Sequence, residues 1–83
     1  MKLPRDLSGD DLTKALAVLG YQPTRQRGSH VRLTTQQGGE HHLTVPQHSP
    51  LKLGTLAGIL ATVAAHFNLT RDQLMERLFG TKG

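Results

Sequence analysis

The hydrophobic period of this chain changes twice, and few architectures accept both changes. Leu12, Ala15, Leu16 and Leu19 recur at i, i+3, i+4 and i+7, the stripe of an amphipathic helix. From His30 to Thr35 the spacing drops to two, as a half-buried strand requires. From Leu53 onward it returns to the helical period, with Leu56, Ala57, Leu60, Ala64 and Phe67 on one face and Ile59 and Val63 widening it. Two helical stripes and a one-sided sheet, carried by 83 residues, must share one core, so the helices are expected to stack on one sheet face. The predicted fold class is α+β in the order α-β-β-β-α-α, two layers, with a three-stranded antiparallel sheet and helices on one face. One domain over 1–83, with its core at about 7–79, is the expected organisation.

Local signals set the boundaries. Ser8 can cap the first helix, Asp11 stands at the reciprocal capping-box position and Leu7 can staple onto Leu12. Gly20 supplies a left-handed stop, which places the helix at about 9–19. Strands are expected over Tyr21 to Arg27, His30 to Thr35 and Glu40 to Val45, joined by Gly28-Ser29 and by Gln36-Gln37-Gly38-Gly39. Pro46 and Pro50 punctuate the connection to a second helix at about 53–66. Thr70 with Gln73 repeats the capping signal for a short last helix ending at Phe79. Met1 to Asp6 and Gly80 to Gly83 read as frayed ends.

Composition narrows the function classes. With no cysteine, disulfide frameworks, cysteine zinc sites and cysteine nucleophiles are all excluded. The longest strongly apolar stretch, Ile59 to Ala65, falls far short of the ~20 residues of a membrane span; no membrane role and a cytoplasmic location are expected. Ten Lys and Arg against six Asp and Glu leave a charge of +4, which favours polyanionic partners.

Val31, Leu33, Leu43 and Val45 are expected to face the core, leaving His30, Arg32, Thr34, His42 and Thr44 on the open face. Arg25-Gln26-Arg27-Gly28-Ser29-His30 adds two guanidinium groups, a glycine turn, a hydroxyl and an imidazole. Arginine grips phosphate through paired hydrogen bonds, a turn can aim amides at an anion, and histidine moves protons near neutrality. The same string also reads as a basic hairpin with a solvated histidine. Gly28 provides a backbone conformation or room for a phosphate, and Ser29 is a turn residue or a phosphate donor. His41 and His42, adjacent on a strand, point to opposite faces; no metal site is expected, and His48 is assigned neither to the open face nor to its loop.

Gly20-Tyr21, Arg25-Gln26, Gly28-Ser29-His30, Leu43-Thr44-Val45-Pro46-Gln47-His48, Lys52-Leu53-Gly54-Thr55-Leu56 and Ile59-Leu60 together resemble the HicA, or YcfA-like, family of toxin ribonucleases, over about Leu12 to Leu78. The resemblance implies a fold like the double-stranded-RNA-binding domain, whose element order is the one read above. It also implies messenger-RNA cleavage by one histidine without metal or other cofactor, and neutralisation by a HicB antitoxin, the toxin being a monomer alone and a hetero-oligomer with antitoxin. The family's catalytic histidine falls on His30. The chain departs from the family in a stretch from Ala61 to Asn68 about one helical turn longer than usual, and in Tyr21, where other aromatics are common.

On that basis His30 is expected to act as general base on a ribose 2′-hydroxyl, giving a 2′,3′-cyclic phosphate and a 5′-hydroxyl. Lys52 and Arg25 are the first candidates for phosphate contacts, with Arg27 and Arg32 next and Gly28 and Ser29 in the turn beside them. The alternative is a non-catalytic RNA-binding module of the same fold. Against it stands a first helix with Asp10 and Asp11 at its start and only Lys14 within it.

Overall fold

A computed structural model describes residues 6–80. Helix α1 runs Gly9–Leu16 and tightens into a 3-10 helix at Ala17–Leu19. Strands β1 (Gln22–Arg27), β2 (His30–Thr35) and β3 (His41–Pro46) follow, then helices α2 (Leu53–Phe67) and α3 (Arg71–Phe79). The strands form one antiparallel sheet in the order β1-β2-β3. This is the predicted α+β architecture, of the double-stranded-RNA-binding-domain type. The frayed ends expected at 1–5 and 81–83 lie outside the described residues.

Both capping boxes form. Ser8 Oγ accepts from the Asp11 amide at 3.0 Å while the Asp11 carboxylate accepts from the Ser8 amide at 3.2 Å, and Thr70 and Gln73 exchange the equivalent bonds at 3.1 and 2.9 Å. Each satisfies two amides that a helix start leaves open. Gly20 closes the first helical segment at φ +86°.

The core joins Leu12, Leu16 and Leu19 to Val31, Leu33 and Val45 of the sheet, and to Leu56, Leu60, Val63, Leu74, Met75 and Leu78 of the other helices. Leu43, expected inward, packs half-buried against this cluster. Leu53 departs from its expected stripe and is 50% exposed. It stands at the first position of α2, where the preceding Leu51 already occupies the core. Thr35 continues the inward row of β2. Its buried hydroxyl donates to the Leu19 carbonyl at 2.7 Å and accepts from the Gln37 amide at 3.1 Å, so it joins the end of the first helical segment to the sheet.

Among the described residues no single helix is long and apolar enough to cross a membrane. Strand β1, Gln-Pro-Thr-Arg-Gln-Arg, is exposed throughout and adds nothing to the core. It is an edge strand, the place where a proline and a bulge are tolerated.

Candidate active site on the open sheet face

The bulge in β1 sets which way its arginines face. Pro23 pairs with Leu33, but the next pair is Arg25 with Arg32, Thr24 being the extra residue. Continued without that residue, the register would place Arg25 opposite Val31, on the core side, because paired residues share a face. The bulge instead aligns Arg25 with Arg32 and Arg27 with His30, so three guanidiniums and an imidazole meet on the open face. Thr24 anchors the irregularity, its hydroxyl bonding the Thr34 hydroxyl at 3.0 Å and the Arg32 carbonyl at 3.3 Å. Sequence reasoning had no bulge; Pro23 within a polar strand was its only trace.

A shallow depression of about 170 Å³ is lined by Arg25, Arg27, His30, Arg32 and Thr44, with Thr44 contributed by β3 opposite Arg32. Among the described residues Lys14 pairs with Asp10 and the His42 ring bonds Glu40, and none of the three arginines is ion-paired with a carboxylate. Guanidiniums that converge on an exposed face without an ion-pair partner give it a positive potential, which attracts anions. A second hollow shares Arg25 and Arg32 and extends toward Thr24, Thr34, Glu40 and His42. There the His42 ring bonds Thr34 Oγ1 at 2.8 Å and Glu40 Oε2 at 2.8 Å.

The Gly28-Ser29 turn orders one edge of the site. Arg27 pairs directly with His30, so the loop holds two residues, with Gly28 at φ +59° and Ser29 not in the left-handed region. That is the type II′ hairpin pattern, which places glycine first. A Cβ at Gly28 would meet nothing within 4 Å, so conformation is what the fold asks of this glycine. The Ser29 carbonyl accepts from the Gln47 amide at 2.6 Å. This pins the segment after β3 beside the turn, with His48 near His30 at 6.4 Å between ring centres, edge to face. Lys52 is exposed at the N-cap of α2 and does not line the depression.

His41 faces the other way from His42, as the strand period requires. Its ring stacks on His66 at 4.4 Å between centres, and its Nδ1 bonds the hydroxyl of buried Tyr21 at 2.7 Å. Burial pushes the Tyr21 hydroxyl up to about 12. Burial, then the nearby His66 and His42, hold His41 below the ordinary histidine value. A histidine with a lowered folded pKa binds its proton more readily when unfolded. Its contribution to stability is therefore present above the unfolded value of about 6.5 and lost as pH falls through the lowered folded value. Thermal melts between pH 8 and 5 are expected to show a steeper acid decline in the wild type than in His41→Gln; identical slopes would contradict this. Among the described residues, no three His, Asp or Glu side chains are arranged to hold a metal ion.

No curated protein and no solved structure matches the chain significantly. A sequence model of the family described as "HicA toxin of bacterial toxin-antitoxin" matches residues 9–64, about two thirds of the chain. The match takes in α1, the whole sheet with the His30 depression, and α2 as far as Ala64. By this match and by the fold, the chain belongs to the HicA toxin family of bacterial toxin–antitoxin systems.

Proposed function

We propose that this toxin is a metal-independent endoribonuclease that cleaves messenger RNA at the open sheet face, with His30 as the catalytic residue and a HicB-type antitoxin as its protein partner. The observation that carries the reading is the convergence of His30 with Arg25, Arg27 and Arg32 around one depression free of acidic side chains. Arginines supply a phosphate grip, and the imidazole supplies a proton acceptor beside it.

His30 takes the proton of a ribose 2′-hydroxyl, and the 2′-oxygen attacks the adjacent 3′-phosphorus. The bond to the 5′-oxygen breaks, leaving a 2′,3′-cyclic phosphate and a 5′-hydroxyl. The nucleophile belongs to the RNA, so the protein's tasks are deprotonation, alignment and stabilisation of the charge on the equatorial oxygens. The guanidiniums perform the last, because donors already aimed at the developing charge need no reorganisation at the moment of reaction. Lys52, exposed at the N-cap of α2, contacts a phosphate flanking the cut; Gly28 and Ser29 shape the turn beside the central phosphate.

End-group analysis of RNA cut in excess EDTA tests this. Fragments whose 5′ ends accept a kinase label without phosphatase treatment, and whose 3′ ends are cyclic phosphates, are expected. Fragments with 5′-phosphates, or cleavage that stops in EDTA, would contradict it.

A further inference from the structure

His48 lies beside His30 and has no part in the reading above, and three elements of the fold fix its backbone there. The Gln47 amide is bound to the Ser29 carbonyl at 2.6 Å, and the His48 carbonyl accepts from the Gly9 amide at 2.9 Å. Gly9 is buried at the start of α1, and a Cβ there would overlap the Pro46 carbonyl oxygen and meet Gln47 Cα at 2.9 Å. The main chain of α1, the β1–β2 turn and the exit of β3 thus converge on this segment, while the His48 side chain remains exposed. Its ring lies 6.4 Å from that of His30 at an angle of 66°. The rings are too far apart to bond each other directly, yet near enough to flank one phosphoryl group.

Breaking the bond to the 5′-oxygen leaves an alkoxide, a poor leaving group unless it is protonated as it departs. His30 cannot supply that proton in the same step, because it is accepting one from the 2′-hydroxyl. The arginines are poor proton donors, since guanidinium stays protonated at any ordinary pH. Resting on the proposed nuclease reading, we infer that His48 is a second catalytic residue, the general acid that protonates the leaving 5′-oxygen. In the cleavage step the 2′-oxygen–phosphorus bond forms and the phosphorus–5′-oxygen bond breaks. The 2′ proton passes to His30, and the His48 imidazolium gives its proton to the 5′-oxygen. Proton exchange with water then returns both rings to their starting states.

The test uses an oligoribonucleotide spanning a cut site mapped with the wild-type chain, made with an oxygen or a sulfur at the 5′-bridging position. A thiolate leaves without protonation, so the sulfur substrate needs no general acid. His48→Ala and His48→Gln are expected to slow cleavage of the oxygen substrate by about 10²–10⁴-fold, the usual range for such a group, and to cut the sulfur substrate within a few-fold of the wild type. His30→Ala is expected to be slow on both. Circular dichroism checks that each variant is folded, the backbone bond from Gly9 being independent of the side chain at 48. Equal losses on both substrates would make His48 a binding or positioning residue and overturn the inference, as would no loss on either. If His48 variants behave like the wild type while the wild type cuts RNA, only this inference falls; if the folded wild type yields no cut site to map, the nuclease reading falls with it.

Discussion

His30→Ala is expected to lower single-turnover RNA cleavage by about 10²–10⁴-fold, the range that a positioned general base contributes, while the melting temperature and RNA affinity stay close to the wild type. The expectation rests on position. His30 is exposed on the open face and forms no part of the core, so its removal opens no cavity and orphans no buried group. In the proposed reading the phosphate is held by Arg25, Arg27 and Arg32, which line the same depression and which the substitution leaves in place. Loss of rate without loss of binding separates a catalytic imidazole from a contact residue. Cleavage within a few-fold of the wild type would remove His30 from the mechanism, and an equal loss of affinity would recast it as a binding residue.

Gly9→Ala is the most damaging small substitution expected in the fold. The added methyl would overlap the Pro46 carbonyl oxygen and crowd Gln47 Cα, and these are main-chain atoms that no rotamer change can move aside. Either α1 shifts away from the end of β3 or that segment moves, and both routes strain the bond from the Gly9 amide to the His48 carbonyl. Overpacking of this kind costs about 1–3 kcal/mol, and a weakened hydrogen bond about 1 more. For a domain of this size the sum corresponds to a fall in melting temperature of ~10–20 °C. Gly58→Ala is the matched control. Gly58 lies inside α2, where a Cβ meets nothing within 4 Å, so helix propensity should leave stability unchanged or raise it by up to ~1 kcal/mol. Paired thermal melts decide; equal behaviour of the two variants would contradict the close approach of α1 to β3.

The two capping boxes, the period of β2 and the turn at Gly28-Ser29 were legible because each is a short-range signal: its chemical cause lies within about four residues. The open-face placement of His30 and Arg32 followed from the same period. What the sequence did not disclose depends on partners distant along the chain. The bulge at Thr24 is a property of the β1–β2 pair, and without it the side Arg25 faces cannot be read from β1 alone. The crowding at Gly9 depends on Pro46 and Gln47, and the nearness of His48 to His30 depends on a carbonyl–amide bond between the β1–β2 turn and the segment after β3. Leu53 was misplaced because a helical stripe does not tell where it begins, and Leu51, just outside the helix, had already filled the core. The inward-facing Thr35 shows the reverse case. Its position obeyed the strand period, but a hydroxyl in the core makes sense only once the Leu19 carbonyl and the Gln37 amide are found beside it.

The central claim is that the RNA supplies its own nucleophile and His30 activates it. Its most direct measurement compares end-labelled RNA with the same molecule carrying one 2′-deoxy nucleotide on the 5′ side of a mapped cut, both incubated with the wild-type chain in excess EDTA and resolved on a denaturing gel. The account predicts that cleavage disappears at the modified position and continues at unmodified ones. Cleavage at the deoxy position at a similar rate would show that the nucleophile comes from elsewhere and would contradict the account.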